Sequence, residues 1–453
     1  IMQEREKLGS RIGFILLSAA CAIGLGNIWK FPYIVGIGGG GLFVLVYVLF
    51  LVMLGLPVLN MEFAVGRGSQ ASTVNSFRKL EKEGQKWHIQ GIPAVIGNIV
   101  LMMFYVVVCG LMLYYFIQSV KGTFVNVSAD FVVDQFENGL LGSPKKLVLW
   151  STIVCLVGGL VCILGLQNGV EKITVVMMVT LFVIMIAMAV YSFTLPGAKE
   201  GFKFYLVPDF SRIKETGFAN VIVGAMNQAF FTLSVGMGSM SIFGSYIGKE
   251  RSLLGESVRV VALDTFVAFM AGVIIFPAIF TYNIEPAAGP SLICITLPNI
   301  FSRLPGGHFW GSLFFLLMTF AAFSTVIAVF ENIISSFMEM FNLSRIIASI
   351  IVMLMIAVLA VPCCFGFSVW SWGWLKPFGG SILDLEDFIV SNLVLPCGAL
   401  VYVLFCTHKK GCGWDNYLAE SNTGDGLKFP SKIRFYCTYI LPLIIAFVIV
   451  YGI

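Results

Sequence analysis

Apolar residues run along this chain in long stretches separated by short polar segments. Windows of about 20 apolar residues, the length a helix needs to cross a bilayer, predict eleven spans. They lie near 12–35, 41–66, 91–120, 147–166, 172–195, 219–246, 258–283, 307–341, 344–361, 382–406 and 434–452. Two of these runs are interrupted from within. The first carries Ile23-Gly24-Leu25-Gly26-Asn27, and the sixth carries Val235-Gly236-Met237-Gly238-Ser239. Glycine costs about 1 kcal/mol in a helix interior, and lipid tolerates unwound backbone only where protein or a water-filled cavity covers it. Each interruption therefore reads as a break in a membrane helix. Five spans separate the starts of the two broken runs, so the two cross in opposite directions. That is the pattern of inverted-repeat transporters, whose sites lie near the bilayer midplane.

Basic residues orient the chain. With the N-terminus in the cytoplasm, clusters such as Arg5, Lys7 and Arg11, then Arg67, Arg78, Lys79, Lys82 and Lys86, fall inside, as the positive-inside rule requires. The C-terminus is then external. The longest external segments are 121–145, 196–218 and 284–306. In the last, Glu285-Pro286 to Gly289-Pro290, followed by Leu297-Pro298, is apolar for a loop. It reads either as a lid over an outer vestibule or as a surface-packed linker. Segment 407–433 reads as a polar cytoplasmic linker without a motif.

Composition agrees with a membrane protein: of 453 residues 58% are hydrophobic and 11% charged, with mean hydropathy +0.94. A soluble domain carries about 25% charge. The net charge of +4 gives no sign of nucleic-acid binding. The first apolar run follows basic residues but continues through Trp29, Lys30 and Pro32 without a signal-peptidase-like site, so it reads as retained. The eleven cysteines lack CxxC pairing, and Cys21, Cys109, Cys155 and Cys162 read as small apolar fillers. The three histidines are scattered.

A broken span offers two poles, freed N–H groups that attract anions and freed carbonyls that attract cations. Asn27, Thr232 and Ser234 add side-chain oxygens at the breaks, and Ser324-Thr325 adds adjacent hydroxyls in the eighth span. Such hydroxyls also bond back to their own helix or glue spans together. Asp264 sits in the seventh span with no Lys or Arg one turn away. An intramembrane charge is costly and marks function by default, so Asp264 reads as a cation ligand, against a structural carboxylate. Glu62 in the second span reads as an anchor for unwound backbone. Lys30 and Asp387 fall at outer span ends, Arg5 and Glu339 at inner ones.

Together these stretches resemble the neurotransmitter:sodium symporter family, with the leucine-transporter fold. The resemblance rests on Gly24-Leu-Gly-Asn27-Ile-Trp-Lys-Phe-Pro32, Gly38-Gly-Gly-Gly41, Gly55-Leu-Pro57 and Glu62 with Gly66-Arg67. It continues in Gln228-Ala-Phe-Phe-Thr-Leu-Ser234-Val-Gly236, Thr296-Leu-Pro298 and Phe320-Ala-Ala-Phe-Ser324. It covers nearly the whole chain and is nearest to bacterial amino-acid members. It implies an all-α integral membrane fold of eleven transmembrane helices, a 5+5 inverted repeat with broken first and sixth helices. Residues 12–195 would be one repeat, 219–406 the other, and 430–453 the eleventh helix.

The resemblance also implies two sodium sites. One uses the Ala22 carbonyl, Asn27, Thr232 and Asp264, completed by the substrate carboxylate. The other uses the Ala20, Ile23 and Ala321 carbonyls with Ser324 and Thr325. Substrate lies against Ala22, Leu25 and Gly26, with Tyr105 donating to its carboxylate. Leu101, Phe231, Thr232, Ser234, Met237, Thr325 and Val329 shape the side-chain pocket. Lys30 with Asp387 closes the outside; Arg5 with Glu339, near Tyr246, closes the inside. Monoamine-carrying relatives have aspartate where this chain has Gly24. The glycine leaves room for the substrate's own carboxylate, and a charged side chain would find no partner in so apolar a pocket.

Several positions depart from the family pattern. Asp264 replaces a common asparagine and supplies a fixed charge that chloride supplies in animal relatives. Chloride-independent transport follows, with Asp264 offering a site for proton antiport. Leu8 replaces a tryptophan that helps to plug the inner pathway. Lys30 stands where arginine is frequent and loses bidentate geometry. Val179, ten residues after Gly169, stands where some relatives carry a helix-opening proline.

The expectation is a sodium-coupled importer of neutral hydrophobic or aromatic amino acids, not an enzyme. It acts as a monomer or weak dimer in the lipid bilayer of a bacterial plasma membrane, without nucleic acid. A proton-coupled permease on the same fold is one rival, disfavoured by Ser324-Thr325. A transport-incompetent amino-acid receptor is the other, disfavoured by the lack of a visible signalling domain.

Overall fold

A computed structural model describes residues 6–212, 217–283, 292–370 and 372–452. Arg5 and the Glu285–Pro290 stretch of the expected lid lie outside the described residues. Those described form helices joined by short turns. The first broken run is α1 (Arg11–Ala22) and α2 (Gly26–Ile37), bent by 53°. Then come α3 (Gly41–Ser69), the short α4 (Thr73–Leu80), α5 (Trp87–Val120), α6 (Pro144–Ile163) and α7 (Leu166–Ser192). The second broken run is α8 (Phe218–Leu233) and α9 (Ser239–Gly244). After it come α10 (Leu253–Tyr282), α11 (Gly307–Phe341), α12 (Arg345–Gly366), α13 (Ile382–Thr407), α14 (Trp414–Ser421) and α15 (Ser431–Tyr451).

Among the described residues, nine helices are long and apolar enough to cross a membrane, and the α1–α2 pair is a tenth candidate. The sixth expected run, 219–246, resolves into two helices of which neither alone is long enough. Except at that run, observed and predicted bounds differ by a few residues. The long helices α5 and α11 pack along one another and form the spine against which α1 and α6 rest. Small residues set the closest approaches, as in many membrane bundles: the α-carbon of Gly66 in α3 faces the Ser241 carbonyl of α9 so closely that a side chain would overlap it.

One regularity was not anticipated. Among the described residues seven helical stretches contain a wide turn with i→i+5 bonding, and five of them, Gly26–Lys30, Leu51–Gly55, Leu292–Thr296, Ile389–Val394 and Tyr436–Ile440, share one feature. Each ends two residues before a proline: Pro32, Pro57, Pro298, Pro396 and Pro442. Proline lacks an N–H, and its ring collides with the carbonyl four residues back. Opening the preceding turn relieves both conflicts without ending the helix. In α7, by contrast, Val179 lies within the regular stretch Lys172–Ser192, and the wide turn at Leu166–Glu171 comes before it.

The polar segment 407–433 is more than a linker. It folds α14 against the C-terminal half of α3, where the Tyr417 hydroxyl donates to Asn60 Oδ1 at 2.7 Å. Buried Arg67 donates to Glu420 Oε1 at 2.6 Å and to the Arg251 carbonyl at 2.6 Å. Asp425 exchanges backbone bonds with Glu250 and Ser252. The missed feature is an eight-residue helix, too short to show a clear period.

Candidate functional site

At the second break the backbone leaves the helix through Ser234 (φ 51°), Gly236 (φ 105°) and Gly238 (φ 75°). Positive φ at three residues of five turns the freed polar groups sideways, toward other helices. Glu62 of α3 accepts the N–H groups of Gly236 (2.8 Å) and Met240 (3.1 Å), the anchoring expected for it. The Met237 carbonyl accepts from Asn98 of α5 at 2.8 Å, and the Gly238 carbonyl from Thr73 of α4 at 2.9 Å. Buried polar backbone must be satisfied somewhere, and here three helices supply the partners. Asn98 and Thr73 had no local sequence signal, because what they serve lies more than a hundred residues away.

The first break faces the second. Asn27, Thr232 and Asp264 are buried together: Asn27 Nδ2 donates to Asp264 Oδ1 at 2.7 Å and to Thr232 Oγ1 at 3.1 Å. Thr232 Oγ1 lies 3.0 Å from Asp264 Oδ2. The sequence expectation was that Asn27 offers its oxygen here. Instead the amide nitrogen faces the carboxylate, and Oδ1 accepts the Gly24 N–H at 3.2 Å. Within the membrane a carboxylate paired only with neutral groups is expensive to keep charged.

Across α1, Thr325 Oγ1 lies 3.0 Å from the Ala20 carbonyl, 3.2 Å from that of Ile23 and 3.2 Å from that of Ala321. Ser324 Oγ donates to the Ala321 carbonyl at 3.1 Å. A hydroxyl has one proton to give. Three carbonyls around one hydroxyl leave acceptor capacity unused, which is the chemistry a hard cation satisfies.

Between these clusters lies a chamber of ≈ 20 Å³, room for a water or two. Leu101, Tyr105, Phe231, Ser234 and Met237 face it, all of them expected. The Leu25 N–H donates to the Tyr105 hydroxyl at 3.1 Å. Val329 is buried one turn beyond Thr325. A Cβ on Gly24 would run into the Tyr105 hydroxyl and lie 2.9 Å from Thr325 Oγ1, so any side chain there must displace these two groups.

Phe231 separates this chamber from a larger one of ≈ 460 Å³, lined by Lys30, Ile34, Asn227, Gln228 and Ser391 among others. Lys30 Nζ sits 3.9 Å from the centre of the Phe231 ring and 3.1 Å from Asp387 Oδ2. The single-pronged contact expected of lysine is thus supplemented by a cation–π contact. Both charged side chains are 31% exposed, and pairs so exposed contribute at most about 1 kcal/mol.

On the other side, Tyr246 of the expected set is joined by two residues the sequence reading did not single out, Glu331 and Arg345. Tyr246 Oη donates to Glu331 Oε1 at 2.7 Å, Arg345 donates to Glu331 Oε2 at 2.7 Å, and Glu6 accepts from Arg345 at 2.8 Å. Glu339 caps α4, accepting the Ser72 N–H and hydroxyl at 2.8 and 2.7 Å; its expected partner Arg5 is not described. Glu331 stands in the middle of an apolar run, so the rule that singled out Asp264 applies to it equally. Beside this cluster, Glu171 of α7 accepts the N–H groups of Gly9 and Ser10 at 2.7 and 3.0 Å, pinning the segment before α1. Leu8, in the place of a tryptophan, is partly buried there.

The chain matches the sodium:neurotransmitter symporter family over residues 5–139 and 132–453. It belongs to that family. An uncharacterized sodium-dependent transporter of Bacillus subtilis, YhdH, is 33% identical over 98% of this chain and 97% of its own length. An uncharacterized sodium-dependent transporter of Haemophilus influenzae is 32% identical over 89% of each. The human sodium- and chloride-dependent taurine transporter is 26% identical over 75% of this chain and 61% of its own. Among solved structures, MhsT in complex with L-phenylalanine matches with a TM-score of 0.88 and 36% identity, over 99% of this chain and all of that one. The symporter is thus an all-helical multi-pass membrane protein of the leucine-transporter fold, and its transport is sodium-coupled.

Proposed function

We propose that this symporter carries neutral hydrophobic or aromatic amino acids inward with Na⁺, by alternating access and without chloride. One observation carries the reading: an apolar chamber bordered by two oxygen clusters, of which one holds the uncompensated carboxylate of Asp264. The relative MhsT binds L-phenylalanine, which supports the substrate class. In this reading one Na⁺ takes Asn27, Thr232, Asp264, the Ala22 carbonyl and the substrate carboxylate. The second takes the Ala20, Ile23 and Ala321 carbonyls with Ser324 and Thr325.

The orientation of Asn27 suggests how ion and substrate are coupled. To ligate Na⁺ its amide turns over, so that Oδ1 faces the ion. The Gly24 N–H then loses its acceptor and is free for the incoming carboxylate, beside Tyr105. Each ligand prepares the place of the other, which is positive coupling in thermodynamic terms.

Residues 12–195 and 219–406 act as inverted repeats, 430–453 adds the eleventh helix, and α1–α3 with α8–α10 rock against the rest. Lys30 with Asp387 forms the outer gate. The inner gate joins Tyr246, Glu339 and Arg5 to the Glu331–Arg345 pair. The protein works as a monomer or weak dimer in a bacterial plasma membrane with its N-terminus inside, and Asp264 is the group available for proton antiport.

Uptake into proteoliposomes of labelled leucine, tyrosine and tryptophan tests this. Uptake is expected with Na⁺ outside and not with choline, and unchanged when gluconate replaces chloride. Equal uptake in Na⁺ and choline would favour the proton-coupled reading; binding without uptake would favour a receptor. Gly24→Ala is expected to weaken Na⁺-dependent leucine binding about tenfold or more, since overpacking costs about 1–3 kcal/mol. Unchanged affinity in a monodisperse Gly24→Ala protein would mean that the carboxylate lies elsewhere.

A further inference from the structure

Two apolar residues that face the small chamber come from a helix to which the sequence assigned only a gate. Val390 and Leu395 of α13 line the same space as Leu101 and Phe231, and both are 1% exposed. Five residues apart on an α-helix, they would point about 140° away from each other. The wide turn at Ile389–Val394 removes that divergence. The Leu395 N–H donates to the Val390 carbonyl, an i→i−5 bond that stacks the two residues on one face. Wide turns of this kind recur at functional sites.

The position of this face is fixed by backbone contact. Gly236 of the second break abuts α13 so closely that a Cβ there would overlap the Leu395 carbonyl oxygen and lie 2.8 Å from the Ala399 N. From the other side, a Cβ on Gly398 would overlap the Gly236 carbonyl oxygen. Four residues before Leu395, Ser391 donates to the gate residue Asp387 at 2.9 Å. One helix therefore carries the gate, a chamber wall and the seat of the hinge.

We infer that the wide turn of α13 is a size-reading wall of the substrate chamber, with Val390 and Leu395 as specificity-determining residues. The inference rests on the proposed amino-acid site and adds to it the element that limits side-chain bulk. Neither residue takes part in the hydrogen bonds that join Asn27, Thr232 and Asp264, and shortening either enlarges the chamber. Lengthening Val390 fills it.

The test is displacement of labelled leucine, bound in Na⁺ to the purified full-length symporter, by leucine, phenylalanine and tryptophan. Val390→Ala and Leu395→Ala should each raise affinity for tryptophan relative to leucine about tenfold, and Val390→Leu should lower it by a similar factor, since one or two methylenes are worth that much in a hydrophobic pocket. The Na⁺ dependence of leucine binding should not move. Leu395 also seats the hinge, and the Val390 pair keeps the test decisive should Leu395→Ala fold poorly. Equal losses for all three ligands, or unchanged ratios in the Val390 variants, would overturn the inference while leaving the site reading standing. Absence of Na⁺-dependent leucine binding in the wild type would overturn both.

Discussion

Asp264→Asn should lower the apparent affinity for Na⁺ roughly ten- to a hundredfold, about 1.4–2.7 kcal/mol, and make transport responsive to chloride. The carboxylate is fully buried and, among the described residues, its hydrogen-bond partners are the neutral Asn27 and Thr232. A cation between these three groups gains a full opposing charge in a medium where charge interactions are poorly screened. Asparagine keeps the shape and the hydrogen bonds and removes the charge. Chloride added to the variant should restore part of the lost affinity, because an anion nearby supplies what the side chain no longer does. Na⁺ titrations of labelled-leucine binding in chloride and in gluconate check both parts. If the variant keeps wild-type Na⁺ affinity in gluconate, Asp264 is not a ligand of the coupling ion.

The second large effect is expected at the proposed inner gate. Arg345→Met leaves Glu331, which is wholly buried, with Tyr246 as its remaining close partner. Losing one member of a buried ion pair typically costs about 3–5 kcal/mol. Part of that cost is avoided when the inner side opens and the carboxylate meets water, so the variant should populate inward-open states. Hydrogen exchange of the segment before α1 should accelerate, and substrate affinity measured from outside should fall in proportion to the closed population lost. Arg345→Met combined with Glu331→Gln removes both charges and should recover most of the protection. A double variant as open as the single one would show that these two residues do not act as a charge pair.

How legible the symporter was in its sequence depended on distance along the chain. The spans were readable because an unbroken apolar run of about 20 residues matches the thickness of a bilayer and is longer than most soluble cores can bury. The breaks were readable because their glycines are local, as was the pairing of Lys30 with Asp387 once the family pattern was seen. The backbone partners of the second break were not. Thr73 and Asn98 look like ordinary polar residues until the chain folds back over Met237 and Gly238. Glu331 is a different case: its signal was present, a lone carboxylate in the apolar stretch after Phe330, and Asp264 drew attention from it. Val390 and Leu395 were hidden by the helical period itself, which places them on opposite faces unless the turn between them is wide.

That last point reaches beyond the substrate chamber. A wide turn inserts one extra residue into the helical count, so everything beyond it is rotated by about 100° relative to an ideal helical wheel. In α3, Leu51–Gly55 is such a turn, and a wheel drawn from Gly41 to Ser69 assigns the wrong azimuth to one of its ends. Spin labels, cysteine pairs or cross-linkers placed by counting in fours across Pro57 or Pro396 would land a quarter-turn from their targets. Positions on the far side of each proline must be re-indexed by one residue before any distance measurement on this symporter is designed.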